Sequence, residues 1–163
     1  RPDFFPRDVI ERNIIPTASL VVRNSNNIPD FFKAFNDICL SLNWAFQIFM
    51  VKNSKFYYIN EPLSAYNDHP GGISKTTSLN SFKLSNIKVL KRFVNETHLR
   101  YVRNSIYRTI TEEYRQILIS SEPTRNKKTN FYKTLFLFSF YYLKTLRFEI
   151  ENFFENKKHL KNR

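Results

Sequence analysis

Only two glycines occur in this chain of 163 residues, and they stand side by side in YNDHPGGIS, Tyr66 to Ser74. Glycine lets a backbone take positive φ or approach another group closely. Every device of that kind is therefore confined to one place. The chain has no glycine-rich loop to cradle a phosphate and no Gly-x-Ser-x-Gly nucleophile elbow. What remains is a chain of long uninterrupted runs. From Asn36 to Val51, NDICLSLNWAFQIFMV holds neither Gly nor Pro and is mostly apolar. It is long enough for a buried helix.

The rest of the first half reads as mixed structure. Ala18 to Arg23, ASLVVR, is a short β-type run after Pro16, ended by the turn residues NSNN. Pro29-Asp30 can open a helical turn. KFYYI, Lys55 to Ile59, is a second strand candidate, closed by Asn60-Glu61-Pro62. The second half reads as helices. Phe82, Asn86, Val89, Phe93 and Thr97 share one face, flanked by Ile87, Leu90 and Val94. Val102, Ile106, Ile110, Tyr114 and Ile117 repeat at helical spacing. After Glu122-Pro123 and the basic run Arg125 to Lys128, a third helix carries Phe136, Phe140, Leu143, Leu146, Ile150 and Phe153 on one stripe. The expected fold class is α+β and mainly helical. A few short strands lie within residues 1–78, and a basic, aromatic-rich helical tail follows over 79–163.

An apolar content of 42% with 17 Phe and 9 Tyr supplies a core and argues against wholesale disorder. Cys39 is the single cysteine, so no internal disulfide forms, which fits a reducing compartment. No basic-then-apolar leader opens the sequence, and the expected location is cytoplasmic. The net charge of +12 is lopsided. Residues 1–78 carry 8 Lys/Arg against 7 Asp/Glu, and residues 79–163 carry 18 against 7. Such asymmetry suggests a polyanionic surface beside the second half, either anionic membrane or nucleic acid, or else simply the solvated face of basic helices. The third helix has an uncharged run of only ten residues, Thr134 to Leu143. Spanning a bilayer takes about 20. An interfacial helix remains open, because Lys133, Lys144 and Arg147 border the apolar stretch. The other reading is an ordinary packed helix. Nucleic acid is the weaker partner, since no recognised binding motif is present.

Zinc-site chemistry is excluded by spacing: Cys39 stands alone, and His69, His98 and His159 are far apart. There is no Asp-x-Asp pair to hold a metal against a diphosphate; the aspartates are Asp3, Asp8, Asp30, Asp37 and Asp68.

One ordered constellation remains. It runs through Ile15 to Arg23, Pro29 to Phe32, Leu42-Asn43-Trp44, Ser54 to Ile59, and Tyr66 to Ser74. Over roughly residues 8–75 this resembles the C-terminal half of bacterial family 2 glycosyltransferases, inverting sugar transferases of the GT-A fold. In that family an Ile-Pro-Thr-x-Ser-x-x-x-Arg strand precedes a Gly-Asp-Trp helix start. A Gly-Lys-Ile-x-Tyr-Ile strand and a Tyr-Arg-x-His-x-Gly-Gly-x-Ser loop follow. An inverting transferase needs a carboxylate to deprotonate the acceptor hydroxyl. It also needs positive charge or a metal on the leaving diphosphate.

The resemblance implies that Trp44 is a sugar-stacking wall and that His69 faces a metal or the diphosphate. It implies that Gly71 and Gly72 give the backbone close approach, and that Thr17, Ser19 and Tyr66 line the substrate. The base position is occupied by Asn43, and an amide is no useful base. Either Asp37 substitutes, or this step is lost. Asn67 stands where the family has Arg. The nucleotide-binding half, with its Asp-x-Asp strand, is not among these residues, so the chain alone is expected to be inactive. The complete enzyme would use Mg or Mn, a nucleotide sugar and a glycan or lipid-linked acceptor for cell-surface polysaccharide. The rival reading is a non-catalytic basic helical module that binds nucleic acid or completes a protein partner.

Overall fold

The computed structural model describes residues 6–23, 28–35, 37, 40–53, 56–59, 61–62, 64–65, 67–95, 102–120 and 128–161. In chain order its helices are α1 (Pro6–Glu11), a 3-10 turn (Thr17–Ser19), α2 (Ile28–Phe35), α3 (Leu42–Asn53), α4 (Ile73–Thr76), α5 (Leu79–Phe93), α6 (Arg103–Ser120) and α7 (Lys128–Lys161).

The mainly helical expectation holds. The expected strands do not appear among the described residues. Ala18 to Arg23 begins inside the 3-10 turn and continues without regular structure. Of Lys55 to Ile59, Phe56 makes a lone bridge and residues 57–59 are irregular. β-branched and aromatic residues favour a strand only where neighbouring strands offer a pleated surface to pack on. Here Val21 is 91% exposed and Tyr57 73%.

The core is shared across the chain. Val9 and Ile10 of α1, Phe31 and Phe35 of α2, and Trp44, Ile48 and Val51 of α3 join Ile87, Leu90 and Phe93 of α5 and Ile106 and Ile110 of α6. Phe31 packs on Phe46 and Phe49 of α3, with ring centroids 5.0 and 5.3 Å apart. Phe35 stacks on Phe93 at 5.2 Å, so packing crosses the compositional boundary near residue 78. α1 lies against α3 and α6, and α6 is sandwiched between α5 and α7.

Local signals explain the best-defined helices. α5 starts at Ser78, whose Oγ accepts from the Ser81 amide, and ends with Lys91 and Arg92, which complement the helix dipole. In α6 the sequence-read stripe Val102, Ile106, Ile110, Tyr114 and Ile117 is buried throughout. α7 differs from the naive expectation. The side chains it lays on the α6 side include Leu137, Phe138 and Tyr141, while Phe136, Phe140, Leu143, Ile150 and Phe153 face solvent.

Candidate functional site

The residues singled out by the motif blocks gather loosely around α3 and the exposed segment that follows it. Asn43 is the second residue of α3 and is half-buried. Trp44 follows and is 2% exposed, with its indole Nε1 donating to the Val9 carbonyl at 2.6 Å. The stacking-wall expectation for Trp44 is therefore corrected. A sugar platform needs an accessible ring face, and this ring is spent on the core and on α1.

Two contacts do unite the separate blocks. Gln47 of α3 donates through Nε2 to the Ile15 carbonyl at 2.8 Å, which seats the Pro16–Ser19 segment over α3. Ser19 Oγ lies 3.1 Å from Ser64 Oγ, so the first block meets the segment leading into the last one. Thr17 and Ser19 are both exposed. Gln47 and Ser64 were not singled out from sequence. A single amide inside the otherwise apolar run from Trp44 to Val51 is the signal that could have flagged Gln47.

The loop of the last block is exposed from Asn67 to Gly71. The His69 carbonyl accepts from the Gly72 amide at 3.0 Å, and Gly72 then caps α4 with φ −66° and ψ 146°. Neither glycine has positive φ. A Cβ at Gly71 would meet the His69 ring at 3.5 Å, an ordinary contact. Backbone φ thus demands neither glycine, and packing leaves room for a side chain at Gly71. Asp68 pairs with Lys75 at 3.0 Å, both exposed. Tyr66 lies outside the described residues.

Asp37, the substitute base, sits in the turn region before α3. Lys88 Nζ reaches its Oδ2 at 2.7 Å and Arg92 reaches its Oδ1 at 2.5 Å. The Lys88 hydrogen bond, with the two positive charges, holds its carboxyl below the ordinary range. A general base benefits from the opposite shift. Asn43, Asp37 and His69 stand on three separate features: the first turn of α3, the turn before it and the exposed loop.

Among the described residues no group of three or more His, Cys, Asp or Glu is placed to hold a metal. Mg and Mn favour oxygen ligands in near-octahedral sets. His69 with the lysine-paired Asp68 does not amount to one, so no step is assigned here to a metal.

The densest polar cluster lies elsewhere, between α5 and α6. Ser41 Oγ donates to Asn86 Oδ1 at 2.6 Å, and Asn86 Nδ2 donates to Glu113 Oε1 at 2.7 Å. Lys83 Nζ lies 3.5 Å from Glu113 Oε2 and donates to Gln116. The cluster is largely buried and internally paired, which is the signature of a structural network. Comparison with protein-family models, with curated proteins and with solved structures finds no match.

Proposed function

We propose that this chain is the acceptor-side, C-terminal portion of an inverting, nucleotide-sugar-dependent glycosyltransferase of the family 2 type, acting in cell-surface polysaccharide synthesis. The observation that carries the reading is the pair of glycines at an exposed turn. Backbone φ demands neither, and packing does not demand Gly71. A position that keeps no side chain without a conformational reason fits a requirement for room beside a ligand, here the leaving diphosphate near His69. The ordered motif blocks support the same reading. So do the Gln47–Ile15 and Ser19–Ser64 contacts, which tie the first block to α3 and to the segment that leads into the last block.

The chain's own chemistry is incomplete. Asn43 cannot accept a proton usefully, and Asp37 is held as a cation-bound carboxylate. The proposal therefore gives this chain the acceptor-side segment with the exposed Thr17 and Ser19, and the diphosphate-facing loop. The base, the metal set and the nucleotide pocket belong to residues outside it.

The coding segment directly upstream tests this. An in-frame strand ending in Asp-x-Asp is expected, and an upstream segment without one defeats the reading. Calorimetric titration of the chain with nucleotide sugars should give no binding; tight binding would overturn the division of labour.

A further inference from the structure

Nine of the exposed large apolar side chains among the described residues lie on one helix, α7. Phe136 is 69% exposed, Leu143 63%, Phe154 58% and Ile150 56%. At 3.6 residues per turn, Phe136, Phe140, Leu143, Ile150 and Phe154 fall on one face, opposite the side on which Tyr141 meets Tyr107 and Tyr114. With 34 residues the helix is about 51 Å long at 1.5 Å per residue, so the face is a long strip. A contiguous apolar strip of this kind on a soluble surface marks an interaction site.

The charge pattern selects the occupant. α7 holds seven Lys/Arg against three Asp/Glu. Lys133 and Lys144 run along one border of the strip, while Arg147, paired with Glu151 at 2.7 Å, interrupts it between Leu143 and Ile150. Lys144 Nζ sits over the Phe140 ring at 4.8 Å, and Lys157 Nζ over the Phe153 ring at 4.7 Å. Amphipathic cations riding beside an aromatic strip suit a surface that is apolar below and anionic at its edge. A second copy of the same helix would bring like charges together along the seam. A polynucleotide would match the charge but leave the apolar strip in water. No helix among the described residues is long and apolar enough to cross a membrane. The strip therefore calls for a helix lying in the plane of the interface.

We infer that α7 is an interfacial helix that seats Phe136, Phe140, Leu143, Ile150 and Phe154 in the acyl boundary of an anionic lipid leaflet, with Lys133, Lys144 and Lys157 at the headgroups. The glycosyltransferase reading is not needed for this, and either can fail alone.

The test is co-sedimentation of the full chain with vesicles. Binding is expected to phosphatidylcholine vesicles containing about a third phosphatidylglycerol, and much less to phosphatidylcholine alone, with attraction to the anionic surface weakening as salt rises. Phe136→Ser with Leu143→Ser should weaken binding on the order of tenfold or more. Lys133→Glu should weaken it on the order of tenfold and flatten the salt dependence. Leu84→Ser, an exposed apolar change on α5, should leave binding unaltered. These side chains are already exposed, so the helical circular dichroism spectrum should be retained. Three results would overturn the inference. One is absence of binding by the unaltered chain to anionic vesicles. Another is a dimer in sedimentation equilibrium that the Phe136→Ser, Leu143→Ser variant dissolves, without vesicle binding. The last is salt-sensitive binding to single-stranded RNA in place of vesicles.

Discussion

Trp44 is the largest of the deeply buried side chains among the described residues, and it spends its one donor on Val9 in a different helix. Trp44→Ala should cost about 3–5 kcal/mol of unfolding free energy in urea melts, the usual range for emptying so large a site. Trp44→Phe keeps most of the apolar volume but leaves the Val9 carbonyl without that donor, and should cost about 1–3 kcal/mol. A ring acting as an exposed platform would show almost no loss in either variant. The sequence alone did not separate these roles. A tryptophan at the start of an apolar helix suits a core or a ligand wall equally, and the deciding partner is 35 residues away. Gly72 poses the reverse problem. Its β-region backbone and its place as the cap of α4 suit Ser, whose hydroxyl oxygen would accept a hydrogen bond from a first-turn amide as the missing side-chain cap. Gly72→Ser should stabilise the chain by about 0.5–1 kcal/mol, because it also narrows the unfolded ensemble. A raised melting temperature would show that folding does not require this glycine. A lowered one would remove the observation on which the diphosphate-loop proposal leans.

Helix by helix, legibility tracked how completely one face is buried. α6 is packed among α1, α5 and α7, and its stripe could be read directly from the spacing of Val102 through Ile117. α5 was read one step off. Its buried face includes Lys83, which an apolar pattern cannot nominate, because the partners that make it tolerable, Glu113 and Gln116, are on α6. α7 has apolar residues almost all round, so spacing identified a stripe without saying which side met protein. Of the site, the order of the blocks was legible, while their seating by Gln47 and Ser64 depends on contacts 32 and 45 residues apart in sequence. The α5–α6 cluster offers an element-scale test. Glu113→Ala leaves the Lys83 ammonium, only 9% exposed, without its ion-pair partner and strips Asn86 of an acceptor. A loss of about 3–5 kcal/mol is expected for breaking such a pair from one side. Lys83→Met combined with Glu113→Leu should recover most of it, since an apolar pair of similar volume avoids the desolvation. A double variant as unstable as Glu113→Ala would mean that the ion pair itself, rather than its one-sided removal, holds α5 to α6.

At the scale of the whole molecule, stability should have an acid edge and an alkaline edge located in different seams. On the alkaline side, burial raises the phenols of Tyr114 and Tyr141, which meet at 6.0 Å where α7 covers α6. A group kept neutral by folding contributes stability below its ordinary value near 10, and that contribution is lost as pH rises towards the raised one. Tyr141→Phe should therefore blunt the alkaline loss of melting temperature. On the acid side, Asp37 is held below the ordinary carboxylate range, by the Lys88 hydrogen bond first and by the charges of Arg92 and Lys88 as well. Glu112 is held low chiefly by its hydrogen bond from Arg115, and burial opposes that shift. Depressed carboxylates stabilise fully above their unfolded values near 4, and the stabilisation fades as pH falls through the lower folded values. Protonating them also removes negative charge from a chain that already carries +12, so self-repulsion grows in the same window. The melting temperature should hold steady from neutral pH to about pH 5 and fall below it. Added salt should restore part of the loss by screening. Asp37→Asn separates the specific contact from the general repulsion. The variant should melt lower than the unaltered chain at neutral pH, where Asp37 bridges the turn before α3 to Lys88 and Arg92 of α5. The gap should close as the native carboxylate is protonated. A gap that stays constant down to the acid limit would mean that Asp37 acts through its shape and hydrogen bonds rather than its charge, and that the acid edge belongs to repulsion alone.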